Sequence, residues 1–267
     1  MAHSGARWAL VTGASSGLGV ALARNLAARK INLVLVARRE SPMRELANEL
    51  QRRWDVRIVV EALDLAQADA AVTLRRRLED QDIEPDILIN NAGFGIGGPF
   101  IEQDPNRLRS MLQLDIVAVT ELAHVFGRRM AQRGCGFILL VGSTAAYQPT
   151  PITAAYGAAK AFVLSLGEAL HVELAPNVGV TVLSPGLMDT GFAGVSGYEP
   201  PLSVRRTVLP SERVAKIGLD ALFARRSSVV PGGLNKVLAF CSRFMSRHLQ
   251  ARLVFRATAA TCIARSR

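Results

Sequence analysis

Short apolar runs rich in Val, Ile and Leu recur along the chain, separated by longer stretches in which apolar residues return every three or four positions. The runs are WALVTG, INLVLVA, VRIVVEALD, DILINNAG, FILLVGS, GVTVLSPG and SSVVPG. Their length and β-branched content predict strands, and the spacing over 17 to 29, 104 to 133 and 154 to 175 predicts helices. Parallel neighbours can be joined only by a crossover, and a crossover helix covers a sheet face. The alternation therefore predicts an α/β fold, a doubly wound parallel sheet of about seven strands with helices on both faces. No internal repeat or low-complexity linker breaks the pattern. Residues 1–231 are read as one domain, followed by a helical extension over 232–267.

Composition refines this picture. With 267 residues and 49% apolar content the chain is long enough for one large domain. Gly134 to Ala159 carries no charge, over a span long enough to raise the question of a membrane crossing. Gln148, Pro149, Pro151 and several Ser and Thr argue against a lipid-facing helix, so the segment is read as a buried strand, a loop and a helix start. The opening MAHSGARWALVTG enters a strand pattern without an h-region, and no secretory signal is expected. Cys135, Cys241 and Cys262 form no CxxC pair and are read as reduced, buried thiols of a cytoplasmic protein, with no metal site. Of the net charge of +10, nine units come from residues 221–267, which hold nine Lys or Arg and no Asp or Glu. The charge belongs to the tail, and without aromatic-basic interleaving or a reader motif it does not point to nucleic acid.

Two motifs carry candidate chemistry. TGASSGLG, residues 12 to 19, closes the first strand pattern and opens a helix. Gly13, Gly17 and Gly19 would let the backbone turn tightly against a pyrophosphate, which the helix N-terminus favours; read alone, the motif is also compatible with a plain strand-to-helix turn. In AAYGAAKAF, residues 154 to 162, Tyr156 and Lys160 stand four apart in a run of small residues. That spacing puts both on one side of a helix with a low wall around them; by itself it also suits an exposed pair.

Together with LDL at 63 to 65, NNAG at 90 to 93, Ser143 and SPGLMDT at 184 to 190, these motifs resemble, in order and interval, those of the short-chain dehydrogenase/reductase family. The resemblance covers residues 7 to about 231 and implies a Rossmann-like domain and a nicotinamide dinucleotide. It implies that Tyr156 exchanges a proton with the substrate oxygen, that Lys160 lowers the phenol pKa and binds ribose hydroxyls, and that Ser143 holds the substrate oxygen. It places Ser15, Ser16 and Leu18 with the glycines against phosphate, and Asp64 and Leu65 beside the adenine. Asn91, Ala92 and Gly93 would border the adenosine ribose, and Pro185, Gly186 and Thr190 the nicotinamide carboxamide. Ala37 stands where NAD-dependent relatives usually carry an acid, and Arg38 and Arg39 follow, so NADP(H) is the expected cofactor. A homodimer or homotetramer is the implied assembly.

The segment 191–209 falls where the family has a substrate lid. Its expected neighbours Phe94, Ile96, Leu187, Met188 and Phe192 are apolar and favour a lipophilic carbonyl or alcohol. A catalytically weak NADP-binding scaffold or sensor is the alternative. Asp115 departs from the family, which usually has Asn there to hold a water of the proton relay; the acid should raise the tyrosine pKa. In the tail, Leu234, Val237, Leu238, Cys241, Phe244, Met245 and Leu249 share helical spacing, with Lys236, Arg243 and Arg247 opposite. Such a helix could lie peripherally on an anionic membrane, or pack its stripe on the body or on another subunit.

Overall fold

The computed structural model describes residues 7–188 and 208–263, the last five of these by backbone only. Seven strands form one parallel sheet: β1 (Trp8–Thr12), β2 (Asn32–Ala37), β3 (Ile58–Ala62), β4 (Ile87–Asn90), β5 (Gly136–Val141), β6 (Val178–Leu183) and β7 (Ser228–Val229). Their order is β3-β2-β1-β4-β5-β6-β7, and each corresponds to one of the seven apolar runs. The chain winds outward from β1 to β3, then returns to pair β4 with β1, in register Leu10 with Leu88. That reversal opens a crevice at the carboxyl edge between β1 and β4, where such folds bind ligands.

Side chains alternate across the sheet. Ala9, Val11, Leu33, Leu35, Ile87 and Ile89 join a core beneath α1 (Gly17–Ala27), α2 (Glu40–Arg53) and a later helix over Ser211–Phe223. Leu10, Val34, Val36, Leu88, Ile138 and Leu140 join a second core with α3 (Ala70–Glu79), α5 (Val119–Arg133) and α6 (Ala154–Glu173). Helices thus cover both faces, and strands buried on both sides read as near-continuous apolar runs for that reason.

The predicted helix over 104 to 133 is one helical run with a change of pitch. After α4 (Pro105–Leu112), capped by Asp104 accepting from Asn106 N at 2.9 Å, residues Gln113–Ala118 form a π-helical stretch before α5. Asp115 sits in that stretch, and wide turns of this kind frequently mark functional sites. The Ser211–Phe223 helix, α7, precedes two tail helices, α8 (Gly233–Cys241) and α9 (Arg247–Ile263). Two expectations fail here. The apolar stripe from Leu234 to Leu249 is not one helix, because a 3₁₀ turn at Ser242–Phe244 interrupts it. Cys135 and Cys241 are exposed rather than buried, since one lies in the turn before β5 and the other on the outer side of α8.

Helix α6 approaches the sheet closely at Gly167, where a Cβ would stand 2.2 Å from Val182 Cγ2 and 3.0 Å from Leu140 Cδ1. This approach seats the N-terminal half of α6, with Tyr156 and Lys160, beside the end of β5, where Lys160 Nζ reaches Val141 O. A Gly167→Ala substitution gains about 1 kcal/mol of helix propensity but inserts a methyl group into a closed contact costing about 1–3 kcal/mol. We expect a net loss of roughly 1 kcal/mol, read as a lower urea midpoint at unchanged slope.

Candidate active site

Each loop leaving the carboxyl edge contributes one part of the site. The first runs from Thr12 into α1, with Gly13 and Gly17 at φ 67° and 55°, a backbone region that favours glycine. A Cβ on Gly19 would lie 2.2 Å from the Gly13 carbonyl oxygen, so the loop folds directly over the helix start. Ser16, the residue before α1, makes no side-chain cap, and this helix end offers N–H groups and a positive dipole to an anion.

Thr12 ties this loop to β4. Its Oγ1 donates to Ile89 O at 3.3 Å and accepts from the backbone N of Asn91 and of Ala92, both at 2.9 Å. The Asn91 carboxamide donates to Thr12 O at 2.8 Å. One hydroxyl thus uses its donor and both lone pairs to clamp the crevice. At the end of β2, Arg39 Nη2 donates to Ser15 O at 3.3 Å and to Ser15 Oγ at 3.2 Å, while Arg38 is exposed beside it. No acid stands between these arginines and β2, and the donors at this turn fit the phosphates of a nicotinamide dinucleotide. Asp64 is a turn residue whose Oδ1 accepts from Ala66 N at 3.0 Å, and Leu65 is buried next to it.

The titratable groups form a connected chain. Ser143 follows β5 and its Oγ accepts from Ala145 N at 3.1 Å, which orients the hydroxyl. Tyr156 interacts with Ser143 through a hydrogen bond, and Lys160 Nζ lies 5.6 Å from the tyrosine ring centroid. Lys160 Nζ also donates to Val141 O at 3.3 Å and stands 3.1 Å from Asp115 Oδ2. That last contact is an ion pair rather than a well-directed hydrogen bond, so Oδ2 keeps capacity for another donor. Asp115 is completely buried, and Phe94 N donates to its Oδ1 at 3.1 Å.

Burial and charge act in opposite directions here. The Tyr156 pKa is raised, first by burial and further by the Asp115 carboxylate, against the lowering effects of Lys160 and Ser143. Burial would lower the Lys160 pKa, but Asp115 and Tyr156 outweigh it and the ammonium is held protonated. Burial raises the Asp115 pKa, with Lys160 and the Phe94 amide opposing. The buried acid therefore fixes the lysine charge while working against the tyrosine anion.

The structure brings Ser143, Tyr156, Lys160 and Asp115 together, and sets Gly13 to Gly19, Arg38, Arg39 and Asn91 to Gly93 along the same edge. Pro185 and Gly186 follow β6, with the buried Asn235 side chain against Gly186. Phe94, Leu187 and Met188 are partly exposed near these loops, and Ile96 is buried. Met188 pairs with Leu209 in an isolated bridge. Thr190, Phe192 and most of the proposed lid over 191–209 lie outside the described residues. Sequence reasoning did not find Thr12, Asn235 or the Val141 carbonyl. Thr12 stood inside the quoted TGASSGLG motif, but its three-way bonding depends on β4 lying next to β1.

The chain matches the short chain dehydrogenase family over residues 7–198 and belongs to it. It is 37% identical over 170 residues to a very-long-chain 3-oxoacyl-CoA reductase of Neurospora crassa, covering 62% of this chain and 51% of that one. The chain spans from about a third to three quarters of the length of the curated relatives it matches, 51% for the Neurospora reductase. Among solved structures, a short-chain dehydrogenase from Sphingobium yanoikuyae in complex with NADPH aligns with a TM-score of 0.78 and 29% identity over 90% of this chain and 97% of that one. A bulky-bulky ketone specific alcohol dehydrogenase from Comamonas testosteroni aligns with a TM-score of 0.76 and 32% identity, covering 89% and 91%.

The electrostatics can be tested without a substrate. Asp115→Asn removes the negative charge that opposes the phenolate, so Tyr156 should ionise at lower pH while Lys160 stays charged. Ultraviolet titration of phenolate absorbance, with Tyr156→Phe as the subtraction control, reads this directly. A higher midpoint would show that Lys160 loses its proton first, against the charge assignment above.

Proposed function

We propose that the protein is an NADP(H)-dependent oxidoreductase interconverting a carbonyl and an alcohol, with a lipophilic substrate. The observation that carries the reading is the Ser143–Tyr156–Lys160 chain at the carboxyl edge of a dinucleotide-type sheet. When bound, the nicotinamide supplies or accepts the hydride. Tyr156 holds the proton exchanged with the substrate oxygen, because its hydroxyl is the titratable donor next to Ser143. Ser143 fixes that oxygen by a hydrogen bond, its own position set by the Ala145 amide. Lys160 keeps a positive charge next to the phenol, and with one N–H donated to Val141 O and the charge paired with Asp115, donor capacity remains for a ribose hydroxyl.

The cofactor preference rests on Arg38 and Arg39 following Ala37, with the Arg39 guanidinium already turned towards Ser15. The NADPH complex of the Sphingobium protein supports it. The lipophilic substrate class rests on Phe94, Leu187 and Met188, and is in keeping with the relatives named for very-long-chain acyl and bulky ketone substrates. A second reading, a weakly catalytic NADP-binding sensor, is favoured by one observation, the buried Asp115 that raises the tyrosine pKa.

A cofactor titration followed by panels of carbonyls with NADPH and alcohols with NADP separates the two. Binding without turnover on any panel member, together with a large gain from Asp115→Asn, would favour the sensor. For the enzyme, Tyr156→Phe should lower kcat by about 10²- to 10⁴-fold with cofactor affinity retained. Alcohol oxidation should rise with pH as the phenolate forms, and Asp115→Asn should move that rise to lower pH. Arg39→Ala should weaken NADPH binding by about tenfold or more and leave NADH binding nearly unchanged. Tighter binding of NADH than NADPH by the parent protein would overturn the cofactor assignment.

A further inference from the structure

The tail helices are built inside out. The side chains that α8 and the turn after it bury are Asn235, Ala239 and Ser242, and α9 buries Gln250 and Thr258. Large apolar side chains face outward instead: Leu234, Val237, Phe240, Phe244, Leu253 and Phe255 are all exposed, Phe244 by 75%. The inward donors are bonded, although Gln250 Oε1 has no partner among the described residues. Asn235 Nδ2 donates to Pro231 O at 3.1 Å, Ser242 Oγ to Ala239 O at 2.8 Å, and Gln250 Nε2 to Met245 O at 2.7 Å and to Ser242 O. An outward apolar face of this extent on a protein body marks an interaction site.

We propose that this face docks the protein on an anionic lipid surface. Lys236, Arg243, Arg247, Arg252 and Arg256 are exposed among the apolar residues, and residues 221–267 contain no acid. A second copy seated symmetrically on this face would bring the five cations against their own kind without a counter-charge from either tail. Anionic head groups neutralise them, while the aromatic and aliphatic side chains enter the acyl boundary. No helix among the described residues is long and apolar enough to cross a membrane, so the contact is one of lying on the surface. Helix α8 packs against the 3₁₀ turn Thr144–Tyr147 that follows Ser143, and its Asn235 touches Gly186. Docking therefore places the mouth of the candidate site next to the bilayer, the side from which a lipophilic substrate would come. That last consequence rests on the proposed substrate class; the docking does not.

Sedimentation of the full chain, without cofactor or substrate, with phosphatidylcholine vesicles with and without phosphatidylglycerol tests the surface. Retention should be at least about tenfold stronger on the phosphatidylglycerol vesicles. The pairs Phe240→Ser with Phe244→Ser and Arg243→Glu with Arg247→Glu should each weaken it by about tenfold or more at an unchanged melting temperature. Absence of retention, equal retention on both vesicles, or retention indifferent to both pairs would overturn the proposal. Loss of self-association by light scattering in the Phe240/Phe244 pair, without vesicle binding by the parent, would assign the face to a second copy of the chain. A failed cofactor titration would leave the vesicle result intact, so the two readings fail separately.

Discussion

Parallel pairing is the constraint on which the rest of this structure depends. Because neighbouring strands run the same way, every strand must be re-entered through a crossover, and every loop that leaves a carboxyl end emerges on one edge. Residues as distant in sequence as Thr12, Arg39, Asn91, Ser143 and Gly186 are brought to that edge without any of them having to select the fold. The cores on either face fill the sheet with Leu, Val and Ile, which leaves the edge free to carry residues chosen for chemistry.

Within the site the governing tension is between burial and charge. A lysine ammonium and a carboxylate taken out of water each lose hydration, and their proximity makes the charged forms tenable together. The π-helical stretch at Gln113–Ala118 turns Asp115 inward at the point where Phe94 N and Lys160 Nζ converge. The resulting network holds the lysine protonated and sets the phenol in opposition to two neighbours of unlike sign. An amide at residue 115 would provide the polarity without the charge, so what the acid adds is electrostatic more than steric.

The tail follows a different logic from the body. In α1 to α3 and α5 to α7 large apolar side chains point at the sheet; in α8 and α9 the inward positions are small or polar. Such helices gain little from packing on the body, and their stability relies on local hydrogen bonds and on whatever covers their outer face.

Strand and helix types, and the order in which they alternate, were legible from the sequence because apolar periodicity is a local property that each segment carries by itself. So was the pairing of Tyr156 with Lys160, which needs only the pitch of one helix, and the family, whose motifs keep their order along the chain. The pitch change around Asp115, the clamp made by Thr12 and the exposure of Cys135 and Cys241 were not legible, because each depends on what a distant segment places alongside. The tail shows the limit most clearly. Spacing alone marked an apolar stripe from Leu234 to Leu249, but a hydrophobic pattern states only that a helix has two faces. Which face meets the protein was decided in three dimensions, where Asn235 lies against Gly186 of the body while the leucines and phenylalanines are left outside.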